Sequence, residues 1–314
     1  MEYKIRLISP QQKDDLIETF KEKIVYEKKA NIAGLCIKLL TDSLKFKEMW
    51  DDNFQSMSEY IRPHGRIFAL KTGGEEEFLY EPVSKTCFIL NCNYYGYVKS
   101  LALAVAGDFL EEYHSIHSRY SVHGALIDYK GKGTALIAPS GVGKTTHSYG
   151  LILMKNVRLV ADDWFFARII GDEIEAIASE KNCYIRADLA KDWKEYEKLI
   201  EGIELDEKGR AVVNVRRILG DGIMKEFTTL QKVVLMKRDR KDKEMFREID
   251  EKEALDFMIK NDFCNPHQLV RDKRKMEKRK KFFGEMFKRT KIYMVNTIGS
   301  IKENQEMIRK VVKK

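Results

Sequence analysis

The sequence predicts an α/β fold in two parts, and three observations carry that prediction. The chain has 314 residues, enough for about two domains at ~150 residues each. Around residues 121–163, apolar runs alternate with a glycine-rich turn and a helical segment, giving a strand–loop–helix–strand plan. Ahead of them, residues 1–97 mix strand-like and helix-like runs with no recognisable chemical constellation. The expected division is a mixed α/β N-terminal unit over 1–97 and a second unit over 98–314.

In the N-terminal unit, "YKIRLI" reads as a strand and "DDLIETFKEKIVYEKKA" has helical spacing. "GRIFALKTGG" followed by "EEEFLYEPVSKTCFILNCNYYGYV" predicts antiparallel strands around a turn at Gly73–Gly74. From Lys99 to about Tyr120, "LALAVAGDFLEEYHSIHSRY" keeps helical spacing and predicts a long helix leading into the second unit. There, "HGALIDYK" and "TALIAPS" are short strands joined at Gly131-Lys132-Gly133, a hairpin signal. "TTHSYGLILMKN" is compatible with a helix, and "VRLVADD" with a strand ending in two carboxylates. "TTLQKVVLMKRD" predicts a further strand, and "NDFCNPHQLVRD" a polar loop broken by proline.

Composition narrows the function classes. Hydrophobic residues make up 44% of the chain and charged residues 34%, an ordinary globular balance. Apolar stretches such as "SLALAVAG" fall far short of the ~20 residues that cross a bilayer, so no membrane partner is expected. The start of the chain lacks the apolar core of a signal peptide. Five scattered cysteines without CxxC spacing argue against a zinc site or disulfide framework, and for a reduced, cytoplasmic setting. The net charge is +8, of which "RDKRKMEKRKK" at 271–281 carries +6. The expected form of that block is a solvated helix face; with no stacking motif or zinc finger beside it, nucleic acid is not an expected partner. A second copy of the chain stays open as a partner.

The chemistry concentrates in "ALIAPSGVGKTTHSYG", residues 135–150. Gly143, Lys144 and Thr145 fit the end of the G-x-x-x-x-G-K-[ST] pattern, with Ala138 in place of its first glycine. Gly141 and Gly143 let backbone N–H groups turn inward toward phosphate oxygens. Pro139, Ser140, Gly141, Val142, Gly143, Lys144, Thr145 and Thr146 are therefore the expected nucleotide-binding run. The helix starting near Lys144 adds its free N–H groups; Lys144 can reach terminal phosphates and Thr145 can offer its hydroxyl to Mg²⁺. Asp162 and Asp163 end the next strand, where one carboxylate can serve a metal and the other can take a proton from an attacking hydroxyl. His123, just before Gly124, is expected on the strand that hairpins with the loop strand, near the phosphates.

Taken together, "HGALIDYKGKGTALIAPSGVGKTT" and "RLVADD" resemble the catalytic domain of the HPr kinase/phosphorylase family, whose P-loop arrangement is shared with ATP-dependent phosphoenolpyruvate carboxykinase. The resemblance covers roughly residues 120–165. It implies a P-loop kinase domain over 98–314 and, as cofactors, ATP and Mg²⁺. It implies that His123, Lys144 and Asp163 are the catalytic residues, with Asp163 as the base for a serine hydroxyl, and that Thr145 binds the metal with Asp162 beside it. In "ASEKNCYIRADLA", Glu180 is the counterpart for a metal-binding carboxylate and Arg186 for a phosphate contact, while the family's glycine-rich text is absent. The acceptor is thus left open among a protein, a peptide and free serine. His267 and Arg271 are further candidates for facing the nucleotide or substrate. The expected function is ATP-dependent phosphoryl transfer to a hydroxyl. The alternatives are a carboxykinase-type reaction on an oxaloacetate-like acid and a non-catalytic nucleotide-binding module.

Overall fold

A computed structural model describes residues 3–113 and 119–314. A first sheet is built from β1 (Ile5–Leu7), β2 (Tyr26–Ile32), β3 (Leu35–Thr41), β4 (Gln55–Ser56), β5 (Gly65–Leu70), β6 (Glu77–Glu81) and β7 (Thr86–Leu90), in the order β1-β6-β7-β5-β3-β2-β4. Helices α1 (Pro10–Phe20) and α2 (Leu44–Asn53) accompany it. Two local expectations are corrected here. The helix expected through Ala30 ends at Phe20, because "YEKKANI" pairs with β3 across its whole length. The glycine turn does not make a hairpin: β7 inserts between β5 and β6, pairing parallel with β5 and antiparallel with β6.

Helix α3 (Tyr95–Glu112) is apolar nearly all round and buried along its length, packing between β5 of the first sheet and β8 (Arg119–His123) of the second. The expected helix ran to Tyr120. Residues 114–118 lie outside the described residues, and Arg119 and Tyr120 belong to a strand.

The second sheet continues with β9 (Ala125–Tyr129), β10 (Lys132–Ile137), β11 (Val157–Ala161), β12 (Trp164–Ile170) and β13 (Glu173–Ala178). A two-stranded ribbon, β14 (Cys183–Arg186) and β15 (Arg210–Val213), stands apart from it, and β16 (Phe227–Lys237), β17 (Phe246–Ile249) and β18 (Lys291–Asn296) complete it. Its main path runs β11-β9-β10-β16-β13-β12-β8. Helix α4 (Lys144–Ile152) follows β10, and α5 (Glu251–Lys260), α6 (Lys273–Lys288) and α7 (Ile301–Lys313) come later. The architecture is thus mixed α/β with mixed sheets. The hairpin β9–β10, the loop into α4 and the strand ending at Ala161 all form where expected.

One feature of this sheet positions the site. β8 runs into β9 through Gly124, and β11 runs into β12 through Asp162–Asp163. β8 pairs with β12 and β9 with β11, so two long antiparallel strands bend together at one corner. The Gly124 N–H donates to the Asp163 carbonyl at 2.9 Å across that corner. A Cβ on Gly124 would stand 2.8 Å from the Leu136 carbonyl, so the bend demands glycine. His123 therefore lies on β8, paired opposite Trp164, and not on the strand that hairpins with β10. It reaches the loop because the corner brings it there.

The basic block also departs from expectation. It forms the start of α6, but its charges turn inward to the acidic end of α3. Buried Lys275 meets Asp108 at 2.9 Å and Glu112 at 3.3 Å, and Arg279 meets Glu111 at 3.0 Å. Exposed Arg274 meets half-buried Glu112 at 2.8 Å. The block is a clamp between α3 and α6, with only part of it a solvated face.

Candidate active site

The loop between β10 and α4 has the conformation its glycines allow. Gly141 has φ 80° and Gly143 has φ 113°, backbone that L side chains rarely adopt. Gly143 is the N-cap of α4 and makes no side-chain cap bond, so the first N–H groups of the helix are left for another acceptor. The loop is braced from behind: Arg238 and Thr297 both donate to the Val142 carbonyl at 3.2 Å. Lys144 is buried and its Nζ donates back to the Ala138 carbonyl at 2.8 Å.

A cavity of about 680 Å³ opens over this loop. Ser140, Gly141, Gly143, Lys144, Thr145 and Thr146 line it, as do His123, Asp162, Asp163, Arg186 and His267. The structure thus gathers most of the expected residues around one space. Pro139 and Val142 are not among its lining, and Val142 packs into the core. Glu180 does not line the cavity either; it is reached through Lys99. Arg186 is half-exposed and paired with Asp188 at 2.9 Å. Arg271 lies away from the cavity, holding its own loop through Asp262 at 2.8 Å and the Pro266 carbonyl at 3.1 Å.

Asp163 is the hub. Its Oδ1 lies 3.2 Å from His123 Nε2, its Oδ2 lies 3.2 Å from Lys99 Nζ, and its side chain stays 34% exposed toward the cavity. Burial pushes its carboxyl upward, but Lys99, His123 and Lys144 outweigh burial and hold it well below the usual carboxylate range. It is ionised at neutral pH.

Its neighbour Asp162 is the opposite case. Burial first, then Glu180 and Asp163, push its carboxyl up to about 8. Its Oδ2 is buried without a hydrogen-bond partner. An orphaned carboxyl oxygen lining the same cavity as Thr145 fits a hard divalent cation such as Mg²⁺, which takes one or two protein oxygens and completes its shell with phosphate and water. Among the described residues, no group of three or more His, Cys, Asp or Glu side chains is drawn together to hold an ion alone.

His123 is fixed by a loop that carries backbone strain. Its Nδ1 lies 2.5 Å from the Cys264 carbonyl. A carbonyl only accepts, so Nδ1 donates, and the Nε2 contact with Asp163 is attractive only when a proton lies between them. Burial and Lys144 lower the histidine's proton affinity, while Asp163 raises it. Asp262, Phe263 and Cys264 present that carbonyl with φ of 49°, 53° and 53°. Three consecutive left-handed residues cost on the order of 1 kcal/mol or more each, a strain found at sites that need fixed geometry.

Sequence reading missed Lys99. It comes from α3, is 2% exposed, and bridges Asp163 and Glu180 at 3.2 and 3.4 Å. Burial disfavours its charge, but Glu180, Asp163 and Asp162 outweigh that and keep it protonated. Asn53 of α2 holds the other side of Glu180 at 2.7 Å, and Tyr95 holds Asn53 at 3.2 Å. In sequence, Lys99 is one cation in an apolar helix; that isolation was the available signal.

No helix among the described residues is long and apolar enough to cross a membrane. All five cysteines are free and buried.

No family model matches the chain. Among curated proteins it is 28% identical over 116 residues to the HPr kinase/phosphorylase of Lactobacillus acidophilus, covering 37% of this chain and 30% of that one. It is 36% identical over 75 residues to the HPr kinase/phosphorylase of Chlorobium phaeovibrioides, covering 24% and 22%. With the Chlorobium luteolum protein it shares 33% over 81 residues, covering 26% and 24%. The matched segments span less than a third of each relative's length. On these likenesses, the chain is a distant relative of the HPr kinase/phosphorylases.

Proposed function

We propose that this protein is an ATP- and Mg²⁺-dependent kinase that transfers the γ-phosphoryl group to a hydroxyl, a serine side chain of a protein, a peptide or free serine. What supports this is one juxtaposition: the glycine loop, with its free helix N–H groups and Lys144, shares a cavity with an ionised carboxylate, Asp163, that stays partly exposed to that cavity. The likeness to HPr kinase/phosphorylases supports the same reaction class.

In this reading the loop amides and Lys144 hold the nucleotide's phosphates, and Asp162 with Thr145 would hold Mg²⁺. The metal would spread the negative charge of the terminal phosphates. The acceptor hydroxyl enters from the open side of the cavity, where Asp163 accepts its proton as the oxygen attacks in line. His123, oriented by Cys264 and held toward its neutral form by burial and Lys144, turns its Nε2 to Asp163 and shares the proton that Asp163 takes up. Positioning and electrostatics provide the rate, since no covalent bond to the protein is needed.

The test is incubation with γ-labelled ATP and HPr, precursor peptides or free serine, read by mass spectrometry. Added phosphate on a hydroxyl supports the proposal. Nucleotide binding without transfer to any acceptor class, or without hydrolysis, points to a regulatory module instead.

A further inference from the structure

We propose that Lys99 is a built-in cation that fills a second cation position in the centre, so that the site loads a single divalent ion. This rests on the reading above for the first ion, at Asp162 and Thr145. Three carboxylates, Asp162, Asp163 and Glu180, meet at the centre, and two of them, Asp163 and Glu180, contact the same ammonium. Nothing else compensates Glu180 with charge among the described residues: its other carboxylate oxygen takes only the neutral Asn53 amide. The Lys99 ammonium is 2% exposed and stands between a carboxylate that faces the cavity and one that does not. A divalent ion placed there would need the same oxygens. Lysine meets that need with one charge, permanently, and keeps the carboxylates from collecting a second ion.

The source of the cation is also informative. Lys99 lies on α3, the helix packed between the two sheets, while Asp163 and Glu180 lie in the second sheet's connections. The first half of the chain therefore completes the charge balance of a site whose loop and acids belong to the second half. Lys99 is a positioning residue in this sense, since it touches the acids and not the reacting atoms.

The experiment counts ions. Purified full-length protein is titrated with Mn²⁺ in the presence of a non-hydrolysable ATP analogue, and bound Mn²⁺ is read by electron paramagnetic resonance and by elemental analysis. The wild type is expected to bind one Mn²⁺ per chain, and Lys99→Arg one. Lys99→Ala, which vacates the position, is expected to bind two, and the double variant Lys99→Ala with Glu180→Gln to return to one. The thermal midpoint of Lys99→Ala should rise with added Mn²⁺ by more than that of the wild type. One ion on both the wild type and a folded Lys99→Ala protein overturns the inference, as does a second ion that survives Glu180→Gln. If Lys99→Ala folds poorly, Lys99→Ser carries the same prediction with a polar side chain in the vacated space. No Mn²⁺ on the wild type but one on Lys99→Ala would sink the Asp162 metal site while sustaining this inference; none on either would sink both.

Discussion

Asp163 Oδ1 stands 3.2 Å from His123 Nε2, while the Asp163 backbone carbonyl takes the N–H of Gly124, the residue that follows His123 at the bend. Side chain and backbone are thus locked to the same corner, and the carboxylate has no freedom to leave the cavity. Asp163→Asn keeps the shape and removes the charge. The expected outcome is a fall in phosphoryl transfer of ~10²-fold or more, with nucleotide affinity changed by less than about threefold. Turnover measured alongside calorimetric nucleotide binding checks it; unchanged turnover rejects Asp163 as the base.

Lys144 is tied to the Ala138 carbonyl across its own loop, and it faces the cavity. Lys144→Ala is expected to weaken nucleotide binding by at least about tenfold and to reduce turnover further, because the lost charge would act on phosphates in both states. Retained affinity in a calorimetric titration would remove the loop from the proposed function.

The clamp between α3 and α6 predicts a sharp contrast within one basic block. Lys275→Met leaves buried Asp108 with Lys85 and Glu111 with Arg279 but removes the cation they share, and is expected to cost about 2–3 kcal/mol. Lys273→Ala and Lys281→Ala, both exposed, should stay within about 0.5 kcal/mol. Urea unfolding of the three variants measures this. Equal small effects would mean the block is a solvated face after all.

His267 predicts a pH dependence. Burial first, then His123, push its imidazolium down to about 3 from an ordinary 6.5. The unfolded chain therefore binds a proton that the folded chain refuses. The stability this residue contributes is present above about pH 6.5 and is lost as pH falls below it. Between pH 7.5 and 5 that loss is about 2 kcal/mol for this one residue. His267→Phe should lose correspondingly less over the same interval, since His123 and His147, shifted in the same direction, remain in both proteins. Denaturant titrations at the two pH values measure the difference; parallel losses would place His267 in a solvated setting.

Much of the candidate site was legible because its signals are local. The β9–β10 hairpin, the loop glycines, Lys144 and the two aspartates at the strand end are each set by neighbours within a few residues. Where local spacing misled, a distant partner won: "YEKKANI" became a strand because β3 was there to pair with it, and β7 displaced the expected hairpin by inserting beside β5.

By itself, then, the sequence determined a strand, a glycine turn, a helix and a pair of acids in the right order, because backbone torsions and short spacings encode those directly. Only the tertiary structure decided their electrostatics. Lys99 lies 64 residues from Asp163, and the Cys264 carbonyl lies 141 residues from His123. Which of two adjacent aspartates is ionised depends on what packs against each one, and that is fixed only when α3, the bent strands and the 262–264 turn are buried together.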